Sequence, residues 1–207
     1  SNRPRPWPLK SARVPWRWAI AGAVLLGICE PQMTGIGGDC FVLLKPAGSE
    51  EVIGLNGSGR APLGLNAETL RAKGLKSMPI HGIDTVTMPG AIDAFCTLHA
   101  AQGRLPLDQV LAPAIHYAEA GVPVAPRVAA DWAEDAAVLQ GDARRHYLLN
   151  GTAPRIGQIF RAPGQAEVLR RIAREGRAGF YEGEVAEDMI ASLHALGGVH
   201  DLADLAA

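Results

Sequence analysis

From Ala19 onward the chain alternates short apolar runs with glycine-bounded polar stretches, and the spacing of the apolar positions predicts the elements. Residues 19–29 are small and apolar on every side, which predicts a helix packed all round. The turn Met33-Thr34-Gly35-Ile36-Gly37-Gly38-Asp39 follows, its glycines giving the backbone room. Cys40-Phe41-Val42-Leu43-Leu44 is an unbroken apolar run of strand length, and it predicts a buried strand. A turn over 46–50 and a second strand over 51–55 complete a hairpin. Helical spacing then recurs at 91–102, 107–120, 127–139, 166–174 and 184–196. Gly103, Gly121 with Pro123, and Gly197-Gly198 stand where helices stop, and Pro113 is a kink inside its helix. An early hairpin followed by many helices is an α+β arrangement. Residues 1–18, rich in Pro, Arg and Trp, show neither period and form an atypical leading segment; residues 19–207 read as one domain.

Composition narrows the classes of function. The 207 residues are 48% hydrophobic and 20% charged, enough apolar surface for a core and too much for a disordered chain. Net charge is −1 with the signs interspersed, and aromatics are 5%, so neither a phosphate-binding face nor a base-stacking surface is present: no nucleic acid is expected. The apolar run at 19–29 is too short to span a bilayer, and Glu30-Pro31-Gln32 follows it without a small-residue cleavage site. It therefore predicts a buried helix, with no membrane partner and no export signal.

Candidate chemistry is sparse. Cys29, Cys40 and Cys96 form no Cys-x-x-Cys pair and leave an odd count, so they are expected as small buried thiols, which favours the cytoplasm. The six histidines (His81, His99, His116, His146, His194, His200) fall in no metal-binding spacing and are expected on helix faces or the surface. No metal and no cofactor is expected. The Gly35–Gly38 turn precedes a strand and lacks a lysine, so it is a structural turn and not a phosphate cradle. Asp39 beside it is expected to be a buried anchor that accepts hydrogen bonds from neighbouring backbone N–H groups. The arginines at 144–145 and 170–177 are interrupted by Glu167 and Glu175 and read as solvated helix faces.

Six stretches occur in a meaningful order: Glu30-Pro31-Gln32-Met33-Thr34-Gly35-Ile36-Gly37-Gly38, Gly59-Arg60-Ala61-Pro62, Val86-Thr87-Met88-Pro89-Gly90-Ala91, Gly103-Arg104-Leu105-Pro106 with Leu111-Ala112-Pro113-Ala114-Ile115 and Ala118-Glu119-Ala120-Gly121, Gly179-Phe180-Tyr181-Glu182-Gly183-Glu184-Val185-Ala186, and Gly197-Gly198-Val199 leading to Asp204-Leu205-Ala206. Together they resemble the front part of the large subunit of gamma-glutamyltranspeptidases. The resemblance implies part of the four-layer αββα sandwich of N-terminal-nucleophile hydrolases. It also implies a precursor that cuts itself, and a threonine at the start of a small subunit that attacks a gamma-glutamyl amide such as that of glutathione. The threonines here (Thr34, Thr69, Thr85, Thr87, Thr97, Thr152) lie in other contexts, so no residue of this chain is expected to be catalytic. The small subunit is the expected partner and a gamma-glutamyl compound the expected ligand. A shell without its covering strands is also expected to associate with itself.

In the family an arginine after the second strand holds the substrate's α-carboxylate, within Asp-Gly-Arg-Glu-Thr-Ala-Pro. Here the loop is Asn56-Gly57-Ser58-Gly59-Arg60-Ala61-Pro62. Aligned on Ala-Pro, the usual arginine falls on Ser58, and Arg60 stands two positions later. Positions two apart in an extended segment share a face. Ser58 and Arg60 are thus the candidate substrate-binding pair, with structural bracing of the loop the other reading of Arg60. The departure brings the family's acylase-like branch into view, and a truncated non-catalytic relative is the remaining alternative.

Overall fold

Pro15 opens the first helix in the one helical position where its missing N–H costs nothing. The computed structural model describes residues 15–46, 48–102 and 105–206. Residues 1–14 of the leading segment, Ala47 within the hairpin turn, the stop at Gly103 and its neighbour Arg104 lie outside the described residues. The elements in chain order are α1 (Pro15–Cys29), β1 (Cys40–Leu44), β2 (Ile53–Gly57), α2 (Ala67–Ala72), a 3-10 turn (Ile83–Thr85), α3 (Ala91–Gln102), α4 (Leu107–Ala120), β3 (Val122–Pro123), α5 (Pro126–Asp135), α6 (Asp142–Tyr147), β4 (Ile159–Phe160), α7 (Pro163–Glu175), α8 (Ala178–Tyr181), α9 (Gly183–Ala195) and α10 (Leu202–Leu205). No described helix is long and apolar enough to cross a membrane.

By packing, the chain falls into two units, one of residues 1–35 with 102–176 and one of residues 36–101 with 177–207. In the first, α4 packs against both α1 and α7. Ile20, Val24 and Ile28 recur every four residues and are buried, whereas Trp18 and Leu26 are exposed. The helix expected to be covered all round therefore hides one stripe. A second cluster joins Val124, Val128, Trp132 and Phe160, with Trp132 edge-on to Phe160 at 4.8 Å. Helix α5 ends at Asp135, short of the expected 139. The Arg144 guanidinium donates to the carbonyls of Ala136 and Leu139, holding them in a turn outside the helix.

The second unit carries the hairpin. β1 and β2 are antiparallel with Val42 opposite Leu55 and Cys40 opposite Gly57. The second strand starts at Ile53, two residues later than expected. Ser49 Oγ accepts from the Glu51 N–H and keeps that stretch in the turn. β1 is not buried as expected: Phe41 is 69% and Leu43 84% exposed. A two-stranded hairpin has two faces, and the period of two sends these side chains to the face that no described element covers. The isolated 207-residue chain is expected to self-associate through this face. Light scattering against concentration checks this: replacing Phe41 and Leu43 by serine shifts the chain toward monomer, and a wild-type chain that is monomeric throughout contradicts it.

Candidate functional site

The loop leaving β2 is built almost wholly from backbone. Asn56 Oδ1 accepts from the Ser58 N–H at 2.9 Å, closing a turn of side chain on main chain. Asp39 Oδ1 accepts from the Gly59 N–H at 3.3 Å, an anchor as expected, but Asp39 is exposed where a buried one was expected, and its partner lies 20 residues on. One residue on, the Arg60 carbonyl accepts from the Met88 N–H at 2.8 Å, tying the loop to the segment that opens α3.

Three glycines allow that approach. A Cβ on Gly59 would lie 1.4 Å from the Met88 carbonyl oxygen, and one on Gly90 2.2 Å from that of Gly57. A Cβ on Gly57 would lie 2.5 Å from that of Ala94. No side chain fits at this crossing, so loop 56–60 lies directly on the backbone of residues 88–90.

Helix α3 begins without a capping side chain of its own, so its leading N–H groups find partners elsewhere. The Gly38 carbonyl accepts from Gly90 and Ala91. The turn at 35–38, expected to be structural, thus caps α3. The Asp93 N–H donates to the Tyr181 hydroxyl at 3.0 Å, and that hydroxyl donates to the Pro89 carbonyl at 2.8 Å. Arg177 completes the corner. Its Nε donates to Asp93 Oδ1 at 2.6 Å, a terminal nitrogen donates to the Leu205 carbonyl, and the guanidinium lies 4.4 Å over the Tyr181 ring. Asp204 accepts from the N–H groups of Leu63 and Asp201 and forms a capping box with Asp201 at the start of α10.

These residues enclose a pocket of about 200 Å³ lying wholly within the second unit, lined by Ser58, Arg60, Pro89, Asp93, Arg177 and Asp204 among others. Both candidate residues line it. Arg177 is engaged by Asp93, and Asp204 by two N–H groups. Among the described residues, no hydrogen bond or ion pair occupies the Arg60 guanidinium, and the side chain is exposed. The pocket thus offers an anion one uncommitted planar cation.

Nucleophilic chemistry finds no footing among these residues. No histidine, lysine or cysteine lines the pocket, and its two carboxylates, Asp93 and Asp204, are engaged by Arg177 and by backbone N–H groups. Burial, aided by the Asp93 carboxylate and opposed by Arg177, pushes the nearby Cys96 thiol up to about 11. Burial is also the main cause that takes the Tyr181 phenol up to about 12, so both groups keep their protons at neutral pH. The three thiols are half-buried, where fully interior ones were expected. Among the described residues no group of three metal-type side chains gathers. His200 departs from the expected surface placement: it is 2% exposed and its Nε2–H donates to the Val86 carbonyl at 2.8 Å. Asp93, Tyr181 and Asp204 were not expected here, and Arg177, expected on a solvated helix face, is instead part-buried and bonded to Asp93 and the Leu205 carbonyl. The Asp201-x-x-Asp204 spacing signals the capping box, and Tyr181 sits in a recognised motif, but nothing local points Arg177 at Asp93.

The family model described as gamma-glutamyltranspeptidase matches residues 18–207. This chain belongs to the gamma-glutamyltranspeptidase family. It is 33% identical over 192 residues to the glutathione hydrolase-like YwrD proenzyme of Bacillus subtilis, covering 91% of this chain and 36% of that protein. It is 34% identical over 197 residues to the oxamate amidohydrolase proenzyme of Klebsiella pneumoniae, covering 91% of this chain and 37% of that protein. Among solved structures it is similar to the cephalosporin acylase from Bacillus halodurans, with TM-score 0.85 and 34% identity over 99% of this chain and 45% of that one. The α+β fold is part of the αββα sandwich of N-terminal-nucleophile hydrolases, as the resemblance implied. The chain spans about a third of the length of the curated relatives it matches. Within this gamma-glutamyltranspeptidase family member, the pocket belongs to the loop that the family's ordered motifs bring beside α3.

Proposed function

We propose that this chain forms the substrate-holding part of an amide hydrolase or acyltransferase acting on small carboxylate-bearing amides. Gamma-glutamyl compounds are the leading candidates. Arg60 anchors the carboxylate with its guanidinium fork, and Ser58 supplies a hydroxyl beside it. The nucleophile, a threonine with its own free amine as base, comes from polypeptide beyond these residues, in the small subunit of a processed precursor. The observation that carries the reading is the uncommitted Arg60 guanidinium on a loop fixed by main-chain contacts, facing a pocket whose other charges are engaged. The pocket of about 200 Å³ has room for a carboxylate beside Arg60.

The acylase or amidase reading shares this anchor and drops the amino group. It is favoured by the Ser58/Arg60 departure from the family loop and by relatives named for oxamate and cephalosporin. A panel on the full-length precursor separates them: gamma-glutamyl anilide, glutaryl anilide, oxamate, and a glutaryl anilide whose free carboxylate is methyl-esterified. Turnover of free-carboxylate substrates with loss on esterification is expected. Turnover that ignores the esterification contradicts an anchoring role for Arg60.

A further inference from the structure

The motif around Tyr181 has no part in the binding scheme above, yet its hydroxyl reaches the residues that carry the anchor. Tyr181 is 5% exposed at the end of α8. A phenol has one proton to give, and this one goes to the Pro89 carbonyl at 2.8 Å. The same oxygen accepts from the Asp93 N–H at 3.0 Å. The hydroxyl therefore spans the entry to α3 from the residue before Gly90 to the first turn of the helix. Arg177, over the ring and paired with Asp93, holds the phenol in that position.

The Pro89 side of this clamp is where the anchor loop rests. Met88 donates to the Arg60 carbonyl, and Gly59 and Gly57 contact the Met88 and Gly90 backbone with no side chain between them. A shift of residues 88–90 therefore carries the backbone of Arg60 with it, the point from which its side chain reaches the pocket. We propose that Tyr181 is a positioning residue for substrate binding, its hydroxyl fixing residues 88–90 and thereby the aim of Arg60. This rests on the reading of Arg60 as the carboxylate anchor.

Phenylalanine keeps the ring beneath Arg177 and deletes only the hydroxyl. In the full-length precursor, Tyr181→Phe is expected to raise KM for gamma-glutamyl or glutaryl anilide about tenfold while kcat stays within about twofold. In an Arg60→Ala background the same substitution is expected to add nothing further, because its effect passes through Arg60. A core tyrosine with no such role gives lowered stability with KM unmoved, or an effect that persists undiminished without Arg60. Either result overturns the proposal.

Hydrogen exchange reads the same coupling without turnover. Tyr181→Phe is expected to speed exchange in peptides covering 56–61 and 87–91 and leave the strand at 40–44 unchanged. Arg177→Met, which removes the clamp on the ring, is expected to act in the same direction and stands in if Tyr181→Phe does not fold. Unaltered exchange at 56–61 and 87–91 refutes the positioning role. A wild-type precursor inert toward every carboxylate-bearing amide refutes instead the functional reading, and the exchange result still decides the first question.

Discussion

Gly59→Ala is expected to destabilise the protein by about 3 kcal/mol or more, the upper range for overpacking a closed site. The added methyl would lie 1.4 Å from the Met88 carbonyl oxygen, a covalent distance, and 2.6 Å from its carbon. The obstacle is backbone, so no rotamer change relieves it. Either the loop lifts off residues 88–90, breaking the bond from Met88 N–H to the Arg60 carbonyl, or the start of α3 moves. At this chain length such a loss lowers Tm by about 6–12 °C, measurable by calorimetry. Gly37→Ala is the control: a methyl there meets nothing within 4 Å, and stability is expected to stay within about 0.5 kcal/mol.

Removing the anchor is expected to affect catalysis and not folding. Arg60 is exposed and lies on a loop held by Asn56, Asp39 and main-chain contacts, none of which needs its guanidinium. In the full-length precursor, Arg60→Ala is expected to lower kcat/KM for carboxylate-bearing amides by about ten- to a hundredfold, in line with losing charge-assisted hydrogen bonds of about 1.5–3 kcal/mol. Lysine keeps the charge but loses the planar fork, and Arg60→Lys is expected to recover only part of that loss. Because Ser58 and Arg60 line one pocket, moving the arginine back by combining Ser58→Arg with Arg60→Ala is expected to restore most of the activity. Steady-state kinetics with and without the esterified substrate check all three variants.

Legibility in the sequence followed the range of the interactions involved. Local patterns sufficed for α4, whose apolar period and flanking Pro106 and Gly121 place both ends, for the start of α3 after Gly90, and for the existence of the hairpin. They misled where the deciding partner is another segment. Helix α5 stops four residues early, where the Arg144 guanidinium reaches the carbonyls of Ala136 and Leu139, and β1 leaves Phe41 and Leu43 exposed on the face opposite its half-buried Cys40, Val42 and Leu44. Short elements such as α2, α6 and α10 lacked enough residues to show a period, although Asn66 and Asp201 cap two of them. The candidate site divides in the same way. Ser58 and Arg60 became candidates through the family resemblance of loop 56–62, aligned on Ala61-Pro62. The network that steadies them joins Tyr181 to Pro89 across 92 residues and Arg177 to Asp93 across 84, separations that no spacing rule covers.

The central claim is that these residues hold a substrate for a nucleophile that other polypeptide must bring. Its most direct measurement compares hydrolysis of gamma-glutamyl and glutaryl anilides by the mass-verified 207-residue chain and by the full-length precursor, each with and without Arg60→Ala. No turnover by the 207-residue chain is expected, and turnover by the processed precursor is expected to fall when Arg60 is removed. Turnover by the 207-residue chain itself, or by a precursor indifferent to Arg60, contradicts it.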